Sequence, residues 1–376
     1  MEPSSIYLMN RVEFGAGAVE RLAVELADAG VQRPLLVTDR GIVGTGMAER
    51  VAGLAGCSVA RYEQVPANPT EAAVLQARQQ FLDERCDGII ALGGGSPLDF
   101  AKAVALLASH DLPLAQYAMV QGGMARIGPV VPIIAIPTTA GTGSEVGRGG
   151  LITLENGGKR VFASTHLLPR VSLCDPTLTL SLPAGLTAAT GMDAFTHCVE
   201  AYLSPRFNPP VDAIVLDGAR RAWQWLRRAV QQPDDLAARS EMMMASIQGG
   251  LGFQKGLGAV HALSHPLGAL QAPSLHHGTC NAVILPAVLR FNRPAASARM
   301  QALEQALGLP PGSPLDAEVA GLNAALGLPA TLGDMGVTPG MIASLADQAM
   351  QDHSCPTNPR PLHRADCVAL YQELLP

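Results

Sequence analysis

Two pairs of potential metal ligands stand at helical spacing in the second half of the chain. Asp193 and His197 are four residues apart in Gly191-Met192-Asp193-Ala194-Phe195-Thr196-His197-Cys198-Val199-Glu200, and His261 and His265 repeat the interval in Val260-His261-Ala262-Leu263-Ser264-His265. On a helix, side chains at i and i+4 share one face a turn apart, so each pair can aim two donors at one region. His276 and His277, ahead of Gly278, add imidazoles in what reads as a turn. One carboxylate with three imidazoles can enclose a divalent cation and leave a position open for a substrate oxygen. A cation held that way is a Lewis acid that stabilises charge developing on oxygen. Each histidine alone reads as an ordinary core or surface residue. Their concentration between 197 and 277 favours a shared site.

A second chemistry is written at three strand exits in the first half. Gly93-Gly94-Gly95-Ser96-Pro97-Leu98-Asp99-Phe100-Ala101-Lys102 follows an apolar run. Glycines there let a phosphate approach the backbone. Ser96 suits an N-cap, Pro97 the first helical position, and the free N–H groups at the helix start suit pyrophosphate. Asp39 closes an earlier apolar run, where a carboxylate can accept hydrogen bonds from a ribose and repel a 2′-phosphate, which favours NAD over NADP. Pro137-Thr138-Thr139-Ala140-Gly141-Thr142-Gly143-Ser144-Glu145 gathers hydroxyls and glycines at a third exit, as a loop contacting phosphate or ribose would.

These residues need elements to position them. Residues 34–39, 88–92 and 131–136 read as strands. Residues 41–54 and 96–109 read as the helices after the first two, a β-α-β rhythm that predicts a parallel sheet with helices on its faces. Beyond about Asp175 strand-like runs become rare, and 187–201, 211–229, 235–249 and 260–270 read as helices. The expectation is an α/β nucleotide-binding domain over 1–182 and an all-helical domain over 183–376, the helical one holding metal and substrate. With 376 residues, 48% hydrophobic and 15% charged, the chain can bury two cores. A net charge of -6 without a basic block argues against nucleic acid, and no apolar run reaches the roughly 20 residues of a membrane span. Seven scattered cysteines without a CxxC, and no signal peptide, point to a reducing, cytoplasmic setting.

Taken together, GGGSxxDxAK, PTTxGTGSE, GMDAxxHCxE and HxxxHPLGA with a later HG resemble the iron-containing (group III) alcohol dehydrogenases along essentially the whole chain. The resemblance implies a Rossmann-like domain followed by an all-helical one, the dehydroquinate synthase-like architecture, in an enzyme that moves a hydride between a primary alcohol and NAD. It implies metal ligation by Asp193, His197, His261 and His277, with His277 preferred to His276 because Gly278 follows it. His265 would lie beside the nicotinamide. Asp39, Gly94, Gly95, Ser96, Asp99, Lys102, Thr138 and Thr139 would meet the cofactor. Proton transfer would run through His265, or through the cofactor ribose and Thr139. The metal would be Fe(II), although the donor set also suits Zn(II). Relatives of this kind are commonly homo-oligomers, and the partner is a small alcohol or aldehyde.

Leu35–Gly41, Phe253–Gly258 and Leu275–Thr279 are further similar to the 4-hydroxybutyrate dehydrogenase branch. A carboxylated substrate needs a cation, and Arg148 and Lys255 are the candidates. Alternatives of other classes are a hydroxyacid-oxoacid transhydrogenase, a dehydroquinate synthase-like lyase and a metal-free maleylacetate reductase.

Overall fold

The computed structural model describes residues 6, 10–155, 158–270 and 272–376. The chain forms two compact units. One runs from residue 10 to Thr139 and includes Ser144–Ser181; the other comprises Leu182–Pro376 with the short segment Ala140–Gly143.

The first unit is a six-stranded parallel sheet. Its strands are β1 (Arg11–Phe14), β2 (Pro34–Val37), β3 (Ala60–Tyr62), β4 (Gly88–Gly93), β5 (Ile133–Pro137) and β8 (Val171–Cys174), in the order β1-β8-β5-β4-β2-β3. An antiparallel hairpin, β6 (Gly149–Thr153) and β7 (Lys159–Ala163), stands apart from it. The helices are α1 (Leu22–Asp28), α2 (Arg40–Gly44), α3 (Met47–Leu54), α4 (Glu71–Asp83) and α5 (Gly95–Ser109). Continuous apolar strands of this kind need cover on both faces. Leu35, Val37, Ile89, Ala91, Ile133 and Ala135 face a core shared with α4 and α5. Leu36, Ile90, Leu92, Ile134 and Ile136 face the opposite core with α1 and α3. The alternation is the two-residue period of a strand.

The local reading differs from the fold in three places here. The helix expected over 41–54 is two helices, because Gly46 adopts φ 76° between α2 and α3. The N-cap of α5 is Gly94, and the Ser96 hydroxyl instead donates to the Ala67 carbonyl at 2.6 Å. The β6–β7 hairpin was not anticipated; its strands are short and only partly buried.

The second unit contains α6 (Ala184–Leu203), α7 (Pro209–Gln231), α8 (Leu236–Gly252), α9 (Ala259–Gly268), α10 (His277–Ala306), α11 (Leu315–Ala325), α12 (Ile342–Ala349) and α13 (Arg364–Glu373). Helix α6 packs against α7, α8 and α10, and from Thr187 to Leu203 every residue except Thr190 is buried. A helix surrounded on all sides loses the usual polar stripe, as its run of Ala, Gly, Thr and Cys reflects. Asn208 and Asp235 accept from backbone amides at the starts of α7 and α8. His276 and His277 do not lie in a turn: His276 is the N-cap of α10 and His277 its first residue. No helix among the described residues is long and apolar enough to cross a membrane.

Candidate active site

The helical unit brings Asp193, His197, His261 and His277 together. Asp193 and His197 come from the middle of α6, His261 from α9 and His277 from the start of α10. The Nε2 atoms of His197, His261 and His277 lie 3.6, 3.8 and 3.7 Å from the same Asp193 oxygen, Oδ1. Tetrahedral ligands about 2.0–2.2 Å from a common cation stand about 3.4 Å apart, so the donor spacing fits a divalent ion.

The tautomers fit as well. His197 Nδ1 lies 3.3 Å from the Gly141 carbonyl, which can only accept. His261 Nδ1 lies 2.5 Å from Glu200 Oε2. A proton on each Nδ1 leaves each Nε2 with a lone pair turned toward Asp193. Asn281 adds a further sign: its Nδ2 sits 2.7 Å from Asp193 Oδ1, 3.2 Å from His261 Nε2 and 3.1 Å from His277 Nε2. An amide NH₂ has two hydrogens, so three acceptors converge on a group that cannot satisfy them all. Its Oδ1 is buried without a hydrogen-bond partner. Lone pairs gathered this way are the arrangement a cation neutralises.

Electrostatics follow the geometry. Burial disfavours the Asp193 carboxylate, but the three imidazoles hold its pKa well below the ordinary carboxylate range. Burial and neighbouring His261 push His197 down to about 4 despite Asp193. His261, although buried, is raised to about 9 by Asp193 and Glu200. Glu200 thus forms with His261 the carboxylate–histidine pair that backs a metal-binding imidazole. Reading by pairs overlooked it, yet 193, 197 and 200 follow the i, i+4, i+7 rule for one helix face.

His265 joins a different group. Its Nδ1 is 2.7 Å from Asp352 Oδ2, and its ring stacks on His277 at 5.3 Å and 11°. Asp352 carries no local sequence signal; it lies 87 residues away. Burial opposes ionisation of Asp352, but His265 and His353 hold its pKa below normal. Burial pushes His353 down to about 4.

Lys255 corrects the expectation of a substrate-binding cation. It is fully buried, and its ammonium pairs with Asp212 and also reaches the Tyr202 carbonyl. Arg299 binds the same Asp212 oxygen at 2.6 Å. The charge of Lys255 is committed to joining the chain after α8 to the start of α7.

The α/β unit presents the glycine turn. Gly93 has φ 143°, and a Cβ there would lie 2.6 Å from Pro97. A Cβ on Gly94 would meet the Thr139 side chain at 3.2 Å, so the exits of β4 and β5 are pressed together. Thr138 is buried, with its amide bonded to the Gly93 carbonyl at 3.0 Å. Gly95 opens α5, where unsatisfied amides suit a phosphate. Asp39 lies two residues beyond β2 and caps α2 through Oδ1, which accepts from the Ile42 amide at 3.0 Å.

Lys102 requires a correction. Its buried Nζ has the Ser144 carbonyl, the Ser144 hydroxyl and the carbonyls of Gly147 and Gly149 at 2.7–2.9 Å. Three N–H groups facing four acceptors leave none for a cofactor. Asp99 accepts from the Ser144 hydroxyl at 2.6 Å and the Leu151 amide at 3.0 Å, so both of its oxygens are also in use. The two residues fasten the β6–β7 hairpin. Arg148 is half-buried just before β6, with its carbonyl accepting from Ser164.

Gly141 and Gly143 belong to the loop read as contacting phosphate or ribose, in which Thr138 and Thr139 are the cofactor candidates. Both lie in the helical unit, where a Cβ would strike Thr190 at 2.7 Å or Gly250 at 2.6 Å. Their small size lets the segment lie on α6 and α8 and deliver the Gly141 carbonyl to His197.

Comparison with known proteins is consistent along the whole chain. The iron-containing alcohol dehydrogenase model matches residues 10–176, and the C-terminal model of that family matches 187–375. The chain is 49% identical over 370 residues to a 4-hydroxybutyrate dehydrogenase of Cupriavidus necator, covering 96% of this chain and 97% of that one. The crystal structure of a 1,3-propanediol oxidoreductase superposes with a TM-score of 0.92 at 35% identity, covering 98% and 99% of the two chains. A sulfoacetaldehyde reductase from Bifidobacterium kashiwanohense, solved with NAD+, superposes at 0.89 with 27% identity over 100% and 99%. The chain therefore belongs to the iron-containing alcohol dehydrogenase family and is an oxidoreductase of that class.

Proposed function

We propose that the protein interconverts 4-hydroxybutyrate and succinic semialdehyde with NAD(H) and iron. The observation carrying the chemistry is the convergence of three imidazole Nε2 atoms on Asp193 Oδ1. The identity with a 4-hydroxybutyrate dehydrogenase across nearly the full length of both chains supports the substrate.

Asp193, His197, His261 and His277 would hold the iron. Gly94, Gly95, Thr138 and Thr139 would border the NAD pyrophosphate, and Asp39 would discriminate against NADP. When bound, iron supplies Lewis acidity toward the substrate oxygen and NAD exchanges the hydride. The chain's own residues manage orientation and protons. Glu200 keeps the proton of His261 on Nδ1. Asp352 does the same for His265, whose Nε2 can then take the hydroxyl proton during oxidation and return it during reduction. The seven cysteines are free thiols, in keeping with a reducing cytoplasm.

Arg148 is our candidate for the substrate carboxylate. Arg148→Ala should lower kcat/KM for succinic semialdehyde by about 10- to 100-fold, the range for a lost charged hydrogen bond. It should leave a neutral aldehyde of similar length nearly unchanged; equal losses on both would remove Arg148 from that role. The overall reading is tested by NADH formation from 4-hydroxybutyrate by iron-reconstituted protein, compared with 1,3-propanediol and with NADP. A preference for the neutral diol would overturn the substrate.

A further inference from the structure

Beside the ligand cluster, His265 and its partner Asp352 belong to a second group of donors that also includes His353. His265 on α9 and His353, in the segment after α12, each turn Nδ1 toward the carboxylate of Asp352, one to each oxygen. His265 Nδ1 is 2.7 Å from Oδ2, and His353 Nδ1 is 3.5 Å from Oδ1. The two rings are stacked at 5.5 Å and 17°. One donor atom from each residue lies within 4.8 Å of the others. Asp352 is held in place by the Ser354 amide, which donates to Oδ1 at 2.8 Å.

We propose that His265, Asp352 and His353 form a second site for a divalent transition metal such as zinc, and that its occupation inhibits the enzyme. Two imidazoles and a carboxylate are a zinc-type donor set. The 3.5 Å edge already matches the roughly 3.4 Å between tetrahedral ligands, and the 2.7 Å edge is a hydrogen bond that must open by about 0.7 Å. The His353 side chain is 30% exposed, which gives an ion a way in, while those of His265 and Asp352 are 12% and 11% exposed.

The inhibition follows from the proton balance on His265. Its Nδ1 now carries the hydrogen given to Asp352. A cation taking the Nδ1 lone pair displaces that proton, which the neutral ring holds on Nε2 instead. Nε2 then has no lone pair to accept a substrate proton. The ion also fixes a ring stacked directly on His277.

The experiment uses iron-loaded holoenzyme titrated with zinc under anaerobic conditions, with bound iron, bound zinc and activity measured on the same samples. Native protein is expected to keep its iron, gain one zinc per chain and lose activity in step with zinc uptake. His353→Ala, with His353→Gln as a second variant, should keep basal activity and shift both zinc uptake and inhibition at least tenfold upward. Zinc displacing iron one for one overturns the site, as does unchanged uptake in both His353 variants. The inhibitory effect rests on the role given to His265 above. Zinc uptake at full activity overturns that effect and points to His265, whereas absence of iron from the untreated cluster points to the proposed function itself.

Discussion

Two buried carboxylates, Glu200 and Glu145, meet opposite surroundings. Glu200 accepts from the Val260 amide at 2.7 Å as well as from His261. Glu200→Gln removes the negative charge that makes His261 a good donor while keeping the volume. Its metal dissociation constant should rise about 10- to 100-fold, the usual effect of losing a partner behind a ligand. Chelator competition measures it, and an unchanged constant would deny Glu200 the role. Glu145 has a buried Oε1 with no partner among the described residues, and burial raises its pKa from 4.5 to about 7. A raised carboxyl favours the folded state fully below the unfolded value, and the contribution disappears as pH climbs through 7. Native protein should therefore lose on the order of 3 kcal/mol relative to Glu145→Gln between pH 4 and pH 9. Denaturant unfolding at the two pH values measures the difference; parallel pH profiles would contradict it.

Close approach of helices sets where the ligands point. A Cβ on Gly278 would lie 2.3 Å from the Ala189 carbonyl and 3.3 Å from Asp193 Cβ. The glycine after His277 therefore lets the first turn of α10 lie on α6. Gly278→Ala must push α10 outward and carry His277 from Asp193. Overpacking of this kind costs about 1–3 kcal/mol, and metal affinity should fall with it. Gly185, near the start of α6, has nothing within 4 Å of a built Cβ. Gly185→Ala should be neutral or slightly stabilising, by up to about 1 kcal/mol from helix propensity. Equal effects of the two substitutions on melting and metal binding would refute the packing explanation.

At the scale of the whole chain, a bound cation would link α6, α9 and α10 through side chains spread over the 84 positions from Asp193 to His277. Binding to the folded state alone stabilises it by RT ln(1 + [L]/Kd), about 2.7 kcal/mol at a hundredfold excess over Kd. Chelation should therefore lower amide-exchange protection in α6, α9 and the start of α10. Protection in the parallel sheet, whose two cores are built from Leu, Ile and Val, should hold. Loss spread evenly over both units would contradict this assignment.

Local order was legible in the residues themselves. Apolar runs became β2, β4 and β5, the glycine turn after β4 opened a helix, and helices lay where the second half predicted them, because strand and helix periods are properties of neighbouring residues. Spacing placed Asp193 and His197 on one face of α6. It offered the same interval for His261 and His265, which meet different partners, Glu200 for one and Asp352 for the other. Nor could it show that Lys102 and Lys255 turn inward, or that Gly141 and Gly143 serve helix packing. Those outcomes depend on which faces meet across long loops. Only the packed tertiary structure brings a carboxylate to a buried ammonium, or one helix start against another helix's carbonyl, and so decides which charged side chains remain available for chemistry.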